Sequence, residues 1–196
     1  MNDTDDFLRA MAAHGFEPEP ESLELLHSAR RVDYAAGDVL VREGEPVHWL
    51  GFLVRGLVRI HCVRDTRDVN LGFELEGGSV GDYAAFMQGV PAQNSQHAVE
   101  ASRVLRFDRD LIDRLLSKFP NWRELSRRAA ESELVAKLEK EVDMRTKTAE
   151  QRYGDLVAQR SPLLQRVPLY HLASYLGITP ETLSRIRARR TPRSRT

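Results

Sequence analysis

Apolar residues recur at two different periods along this chain, and the change of period divides it into three stretches. Residues 5–29 carry Phe7, Leu8, Met11 and Phe16, then Leu23, Leu25 and Leu26, at spacings that predict helices. From Arg31 to about Phe107 the texture is short β-type runs: Val39–Val41, Leu50–Val54, Leu57–Val63, Val69–Phe73, His97–Ala101 and Val104–Phe107. Turn signals separate them at Ala36-Gly37-Asp38, Glu43-Gly44-Glu45, Arg55-Gly56 and Glu76-Gly77-Gly78. Many short strands at close, even spacing predict a small all-β barrel or jelly roll. Helix formers return at Arg109, and a long helix is predicted from Asn121, read as its N-cap, to about Arg145. Its stripe is Trp122, Leu125, Ala129, Val135, Leu138 and Val142, weaker around Ser132. A narrow apolar stripe with charged flanks predicts a two-chain seam rather than burial in one domain. A hinge around residues 147–150 leads to a further helix over 151–159, before Ser161-Pro162.

The last periodic stretch, Pro168 to Arg190, reads as a helix-turn-helix. Leu169, Leu172, Ala173 and Leu176 have helical spacing, and Gly177 stops that helix where a left-handed residue reverses the backbone cheaply. Ile178 fills the corner. Thr179 is a good N-cap, Pro180 suits the first helical position, and Glu181 places negative charge in the first turn. The second helix buries Leu183 and Ile186, and Ala173 supplies the small residue where the two helices cross. An ordinary αα-hairpin has the same outline. Charge separates the two readings: after Thr182 come Arg185, Arg187, Arg189, Arg190, Arg193 and Arg195, with no acid. Such a segment suits a phosphate surface.

Composition confirms this asymmetry behind a net charge of zero. Residues 150–196 hold nine Lys/Arg against three Asp/Glu, and residues 1–149 hold twenty against twenty-six. An acidic body with a basic end suits a regulator whose C-terminus touches nucleic acid. The single cysteine, Cys62, rules out a disulfide framework or an intrachain Cys-rich cluster, and reads as a small buried hydrophobe. The first residues lack a basic region followed by an apolar core, and no apolar run reaches membrane-spanning length, so a cytoplasmic protein is expected.

Helices, a glycine-punctuated roll, a long helix and a terminal helix-turn-helix, in this order, resemble the Crp/Fnr family, the relatives of the cyclic AMP receptor protein. The pieces that carry the resemblance are Ala36-Gly37-Asp38-Val39-Leu40 followed by Gly44, then Phe52-Leu53-Val54-Arg55-Gly56-Leu57-Val58-Arg59, and the helix-turn-helix. It covers nearly the whole chain. The fold it implies is α+β: an N-terminal β-roll of the cyclic-nucleotide-binding-like jelly-roll type with flanking helices, a long dimerisation helix and a C-terminal winged helix-turn-helix. Residues 1–120 would form the sensor, 121–146 the dimerisation helix and hinge, and 147–196 the DNA-binding domain. Implied partners are double-stranded DNA, a second copy of the chain, RNA polymerase and an effector of unknown identity; no cofactor and no membrane is implied.

The ligand site is where the sequence departs from the family. Nucleotide-binding members carry Gly-Glu for the ribose and, about ten residues later, an arginine for the cyclic phosphate. Here Gly81 precedes Asp82, one methylene shorter, and Gly81 to Ser102 contains no Lys or Arg. Ser95 stands near the arginine's place. Gly81, Asp82, Tyr83, Asn94, Ser95 and His97 are the candidate ligand residues, and a buried phosphate would meet no cation among them, which is costly. Ordinary cyclic AMP binding is therefore not expected. One cysteine excludes an Fnr-type iron–sulfur cluster. Haem would need a histidine from His14, His27, His48, His61, His97 and His171, among which the sequence marks no telling pair.

For the output end, Glu181 and Arg185 share one helix face and resemble the family's base-contacting positions. Arginine pairs with guanine and glutamate with a cytosine amino group. Thr179, Thr182, Ser184 and Arg189 are candidates for phosphate contacts, and Pro180 stands where many relatives carry a base-contacting arginine. The run from Arg190 to Arg195 is expected to be a flexible tail. The reading is a dimeric, sequence-specific transcription regulator. A cyclic-nucleotide-responsive regulator and a protein-interaction module with a vestigial helix-turn-helix are the alternatives. The acids are dispersed and no phosphate loop or nucleophile elbow is present, so an enzyme is not expected.

Overall fold

A computed structural model describes residues 3–190. The chain divides into two compact units: residues up to Cys62 with Gly72–Ser132, and Val63–Leu71 with the residues from Glu133 onward.

The first unit is a roll of two four-stranded sheets. One has the order β1 (Arg30–Tyr34), β8 (Ser102–Asp108), β3 (Trp49–Arg55), β6 (Ser79–Val80). The other runs β2 (Val39–Val41), β7 (Ser95–Ala98), β4 (Val58–Arg64), β5 (Arg67–Glu74). The β1–β8 and β3–β8 pairs are antiparallel: Leu105, opposite Arg31 and Phe52, faces the helices that cover this sheet, while Val104, opposite Leu53, faces the inside of the roll. Inside the roll Leu53, Val58, Val80, Phe86 and Val104 are completely buried, in the alternation that one-sided strands require. β1, β6 and the short helix α3 (Tyr83–Gln88) lie outside the runs that periodicity marks. β1 has no buried residue and β6 is two residues long, so neither carries an apolar pattern to read.

A second core lies between the roll and helices α1 (Asp3–Ala13), α2 (Pro20–Leu26), α4 (Arg109–Lys118) and the start of α5 (Pro120–Thr146). Phe7 is its centre, with ring centroids 5.3 Å from Phe52, 5.1 Å from Phe107 and 6.0 Å from Trp122. Trp122, expected on a dimer seam, is buried here instead, and its indole N–H donates to Ser22 Oγ at 2.9 Å. Leu125, one turn on, packs against the same cluster. A helix's first turns can serve its own domain while later turns face outward, and the stripe alone does not mark the change. Asn121 is not the helix cap: its backbone N–H donates to Glu19 Oε1 and its amide to Glu17 O, both at 2.8 Å, tying α5 to the segment before α2.

The second unit is built on the rest of α5, with α6 (Ala149–Gln159), α7 (Leu163–Arg166), α8 (Leu169–Tyr175) and α9 (Pro180–Arg190). Thr148 starts α6 with a capping box shared with Gln151. Lys147 bridges Asp143 at 2.9 Å and Asp155 at 2.8 Å, pinning the hinge between α5 and α6. Between 147 and 190 every element is a helix, so the wing expected of the DNA-binding domain has no strand among the described residues. No helix among the described residues is long and apolar enough to cross a membrane.

Candidate nucleic-acid interface and ligand cassette

The turn between α8 and α9 forms as its residues dictate. Gly177 sits at φ +68°, a left-handed conformation that favours glycine, and the flexible end of Met144 on α5 lies against it. The N–H of Ile178 donates to Ala173 O at 3.0 Å, closing the last turn of α8. Thr179 Oγ1 accepts the Thr182 N–H at 3.2 Å, the N-cap bond. Leu172, Ala173, Leu183 and Ile186 are buried between the two helices.

With Leu183 and Ile186 inward, α9 leaves Glu181, Ser184, Arg185 and Arg189 exposed, together with Thr179 and Pro180 just before and at its first turn. Thr182 is half-buried and hydrogen-bonded on both sides: its hydroxyl lies 3.2 Å from Thr179 Oγ1 and accepts from Arg185 Nη2 at 3.2 Å. Arg185 is thus propped by a two-threonine chain and makes no ion pair with Glu181. The carboxyl of Glu181 is held below its ordinary value by its own backbone N–H first, then by the Thr179 hydroxyl, with the Arg185 charge a smaller influence. Arg190 is not part of a loose tail. It closes α9 on the inward side, where a Cβ on Gly154 would come within 2.8 Å of its guanidinium, and that guanidinium stands 5.9 Å from the Tyr153 ring centre. Arg193 and Arg195 lie outside the described residues.

In the roll, Gly81 and Asp82 do meet the 93–97 segment, but to close a network rather than to open a pocket. One oxygen of Asp82 caps α3 through the Ala85 N–H at 3.1 Å. The other accepts from the Gln93 N–H at 2.8 Å and Asn94 Nδ2 at 2.9 Å. The Gly81 N–H donates to Gln96 Oε1 at 2.8 Å. Ser95, near the place of the family's arginine, accepts the Glu43 N–H at 3.0 Å. Tyr83 turns its hydroxyl to Ser126, 3.3 Å away on α5. The cassette therefore holds a buried carboxylate among neutral donors, and that repels a phosphate diester. Phe86 fills the interior behind it, covered by the Arg109 guanidinium 3.6 Å from its ring centre. A cleft of about 90 Å³ beside Leu40 and Trp49 is far smaller than the roughly 300–1,000 Å³ of ordinary ligand pockets.

Sequence reading misses Gln96, whose amide oxygen accepts the Gly81 N–H, because a glutamine carries no chemical signature. It also misses a histidine pair. Across β4 and β7, Arg59 faces His97 and His61 faces Ser95, so the two histidines are diagonal neighbours. Their His61 Nε2 and His97 Nδ1 atoms lie 2.8 Å apart. The described residues hold no cluster of three or more metal-binding side chains.

On the second half of α5, Leu134 is 58%, Val135 53%, Leu138 53% and Val142 56% exposed; Ala129 is exposed too, but helical geometry puts it on another side of α5 from Val135, Leu138 and Val142. Val135, Leu138 and Val142 recur at three and four residues and share one face. Lys140, Met144 and Lys147 occupy the opposite face, which packs within the unit.

Residues 31–119 match the cyclic nucleotide-binding domain family. Over 172 residues the chain is 27% identical to the fumarate and nitrate reduction regulatory protein of Yersinia pestis. It is 23% identical over 175 residues to electron transport regulator A of Shewanella oneidensis. Each match takes in 82% of this chain and 68% of the relative. Among solved structures, FixK2 from Bradyrhizobium japonicum superposes with a TM-score of 0.75 at 19% identity, over 82% of this chain and 83% of that one, a likeness of fold.

Proposed function

We propose that this chain, which belongs with the Crp/Fnr-type transcription regulators, reads DNA through α9 as a homodimer and does so without a cyclic nucleotide. The observation that carries the DNA reading is the division of α9. Its apolar residues are spent on α8, and its bare face offers an acid and two arginines beside hydroxyls, the mixture that reads base edges and phosphates. Arg185 and Glu181 are the base readers, and Thr179, Thr182, Ser184 and Arg189 hold the backbone. Pro180 gives that face no cation at its start, so the half-site differs from that of relatives with arginine there. The exposed Val135, Leu138 and Val142 face, with Leu134 beside it, supports pairing of two α5 helices, which sets the spacing of two half-sites.

On the sensor side, the closed Asp82 cassette and the Phe86-filled interior support a regulator that takes no cyclic nucleotide there. Regulators of this kind work in the cytoplasm alongside RNA polymerase and catalyse nothing. Selection from a randomised operator library with the wild type and Arg185→Ala tests the output. Enrichment of a paired-site sequence by the wild type, with preference relaxed at one position per half-site in the variant, is the expected result. Identical profiles, or no enrichment at all, overturn it, and the latter favours a protein-interaction role.

A further inference from the structure

The chain has four lysines, and their surroundings differ sharply. Lys118 is exposed at the end of α4. Lys137 pairs with Glu133 at 3.3 Å, and Lys147 sits between Asp143 and Asp155. Lys140 has no carboxylate partner among the described residues. Its half-buried ammonium stands 4.0 Å from the Tyr175 ring centre and donates to the Leu71 carbonyl, at the junction of α5, α8 and residues 63–71.

We propose that Lys140 is the preferred acyl-acceptor site of this protein, taking an acyl group from acyl phosphates and thereby breaking the contact that holds α8 to α5. Three observations support this. Among the described residues no anion holds the proton on Lys140, whereas Lys137 and Lys147 are both held by acids. Burial, aided by the charge of Arg160, lowers its amine to about 8, so a reactive neutral fraction exists near neutral pH. The residue is also only half-buried between Tyr175 and Leu71, and it lies on the face of α5 opposite Val135, Leu138 and Val142, so pairing through that stripe does not cover it further.

The step balances without an oxidant or reductant. The neutral Nζ lone pair attacks the acyl carbon and a C–N bond forms. The C–O bond to phosphate breaks, phosphate leaves with the electron pair, and the amine's surplus proton passes to water. The product amide has no charge for the Tyr175 ring, and its acyl group needs space now held by Tyr175 and Leu71.

The inference does not depend on the DNA reading. Acetyl phosphate is the probe, applied to the full-length protein from pH 6.5 to 10, with site-resolved mass spectrometry following the four lysines as internal controls. A lysine lowered to about 8 has a neutral fraction at pH 7 roughly two orders of magnitude above that of an ordinary lysine. Lower nucleophilicity and partial burial reduce that advantage, leaving an expected rate at least tenfold above those of Lys118 and Lys137. The Lys140 rate should also level off just above pH 8 while the others keep rising. A rate no greater than that of Lys118, or a profile that rises in parallel with it, overturns the site. Faster amide exchange over residues 169–175 in the acetylated protein supports the coupling to α8, and unchanged exchange at full Lys140 acetylation overturns it.

Discussion

The guanidinium of Arg152, on α6, grips the carbonyl of Leu176 with Nη2 at 2.9 Å and Nε at 3.2 Å, while its other nitrogen donates to the Lys147 carbonyl. One side chain thereby satisfies the C-cap of α8 and the end of the α5–α6 hinge, two places where helices leave carbonyls without partners. Replacement by methionine keeps the stem and removes the donors. Hydrogen bonds from a charged group contribute about 1–3 kcal/mol each, so Arg152→Met should lower stability by about 2 kcal/mol. Hydrogen exchange should accelerate first in residues 169–178. Uniform loss of protection over the whole chain would show that Arg152 acts elsewhere.

Trp122 and Leu138 lie on one helix and should fail in different ways. Trp122→Ala empties a site beside Phe7 and Phe16 and removes the hydrogen bond to Ser22, at a cost of about 3–5 kcal/mol read by denaturant titration. Leu138→Glu changes an exposed position, so its effect on monomer stability should be under about 1 kcal/mol, with the change appearing in sedimentation as loss of dimer. A dimeric Leu138→Glu protein would move the seam off this face.

Asp82 should matter to the fold and not to nucleotide. Its three accepted hydrogen bonds make Asp82→Ala costly, by about 2–4 kcal/mol, with the Gln93–Asn94 segment losing order first in amide exchange. Calorimetric titration of the wild type with cyclic AMP and cyclic GMP should register no saturable heat at micromolar concentrations. Stoichiometric binding of either would require the cassette to open and would reject the sensor reading.

Lys140 sets a pH dependence of stability whose direction follows from its lowered value. Folded, its amine titrates at about 8; unfolded, it returns to the ordinary 10.5. Between these values the unfolded chain binds the additional proton, so stability contributed by this group rises with pH across the window. Below pH 8 both states are protonated and the cost of burying the charge is fully present. Denaturation midpoints at pH 8.0 and 9.5 should therefore rise for the wild type relative to Lys140→Met. Parallel behaviour of the two proteins would mean that burial does not penalise the ammonium.

Short apolar strands bounded by glycine turns are legible in the amino-acid sequence. Val39–Val41 coincides with β2, and the helix-turn-helix stands within a residue of its expected bounds, because glycine, N-cap and apolar spacing are local signals. Trp122 and Leu125 are misread because at about 100° per residue they lie on a different side of α5 from Val135, Leu138 and Val142, and that side is covered by the helical core. The histidine pair is invisible because His61 and His97 are thirty-six residues apart and meet only through the β4–β7 register.

Local chemistry in the sequence determined the order of elements, the absence of a cation from the cassette and the identity of the exposed α9 residues. Each follows from a residue's own conformational or charge preference. Only the tertiary structure decided that Asp82 is consumed by Gln93 and Asn94, that Arg185 leans on Thr182 rather than Glu181, and that Lys140 is buried without an acid. Those outcomes depend on which segments strand register and helix packing bring together, and no period along a single chain encodes them.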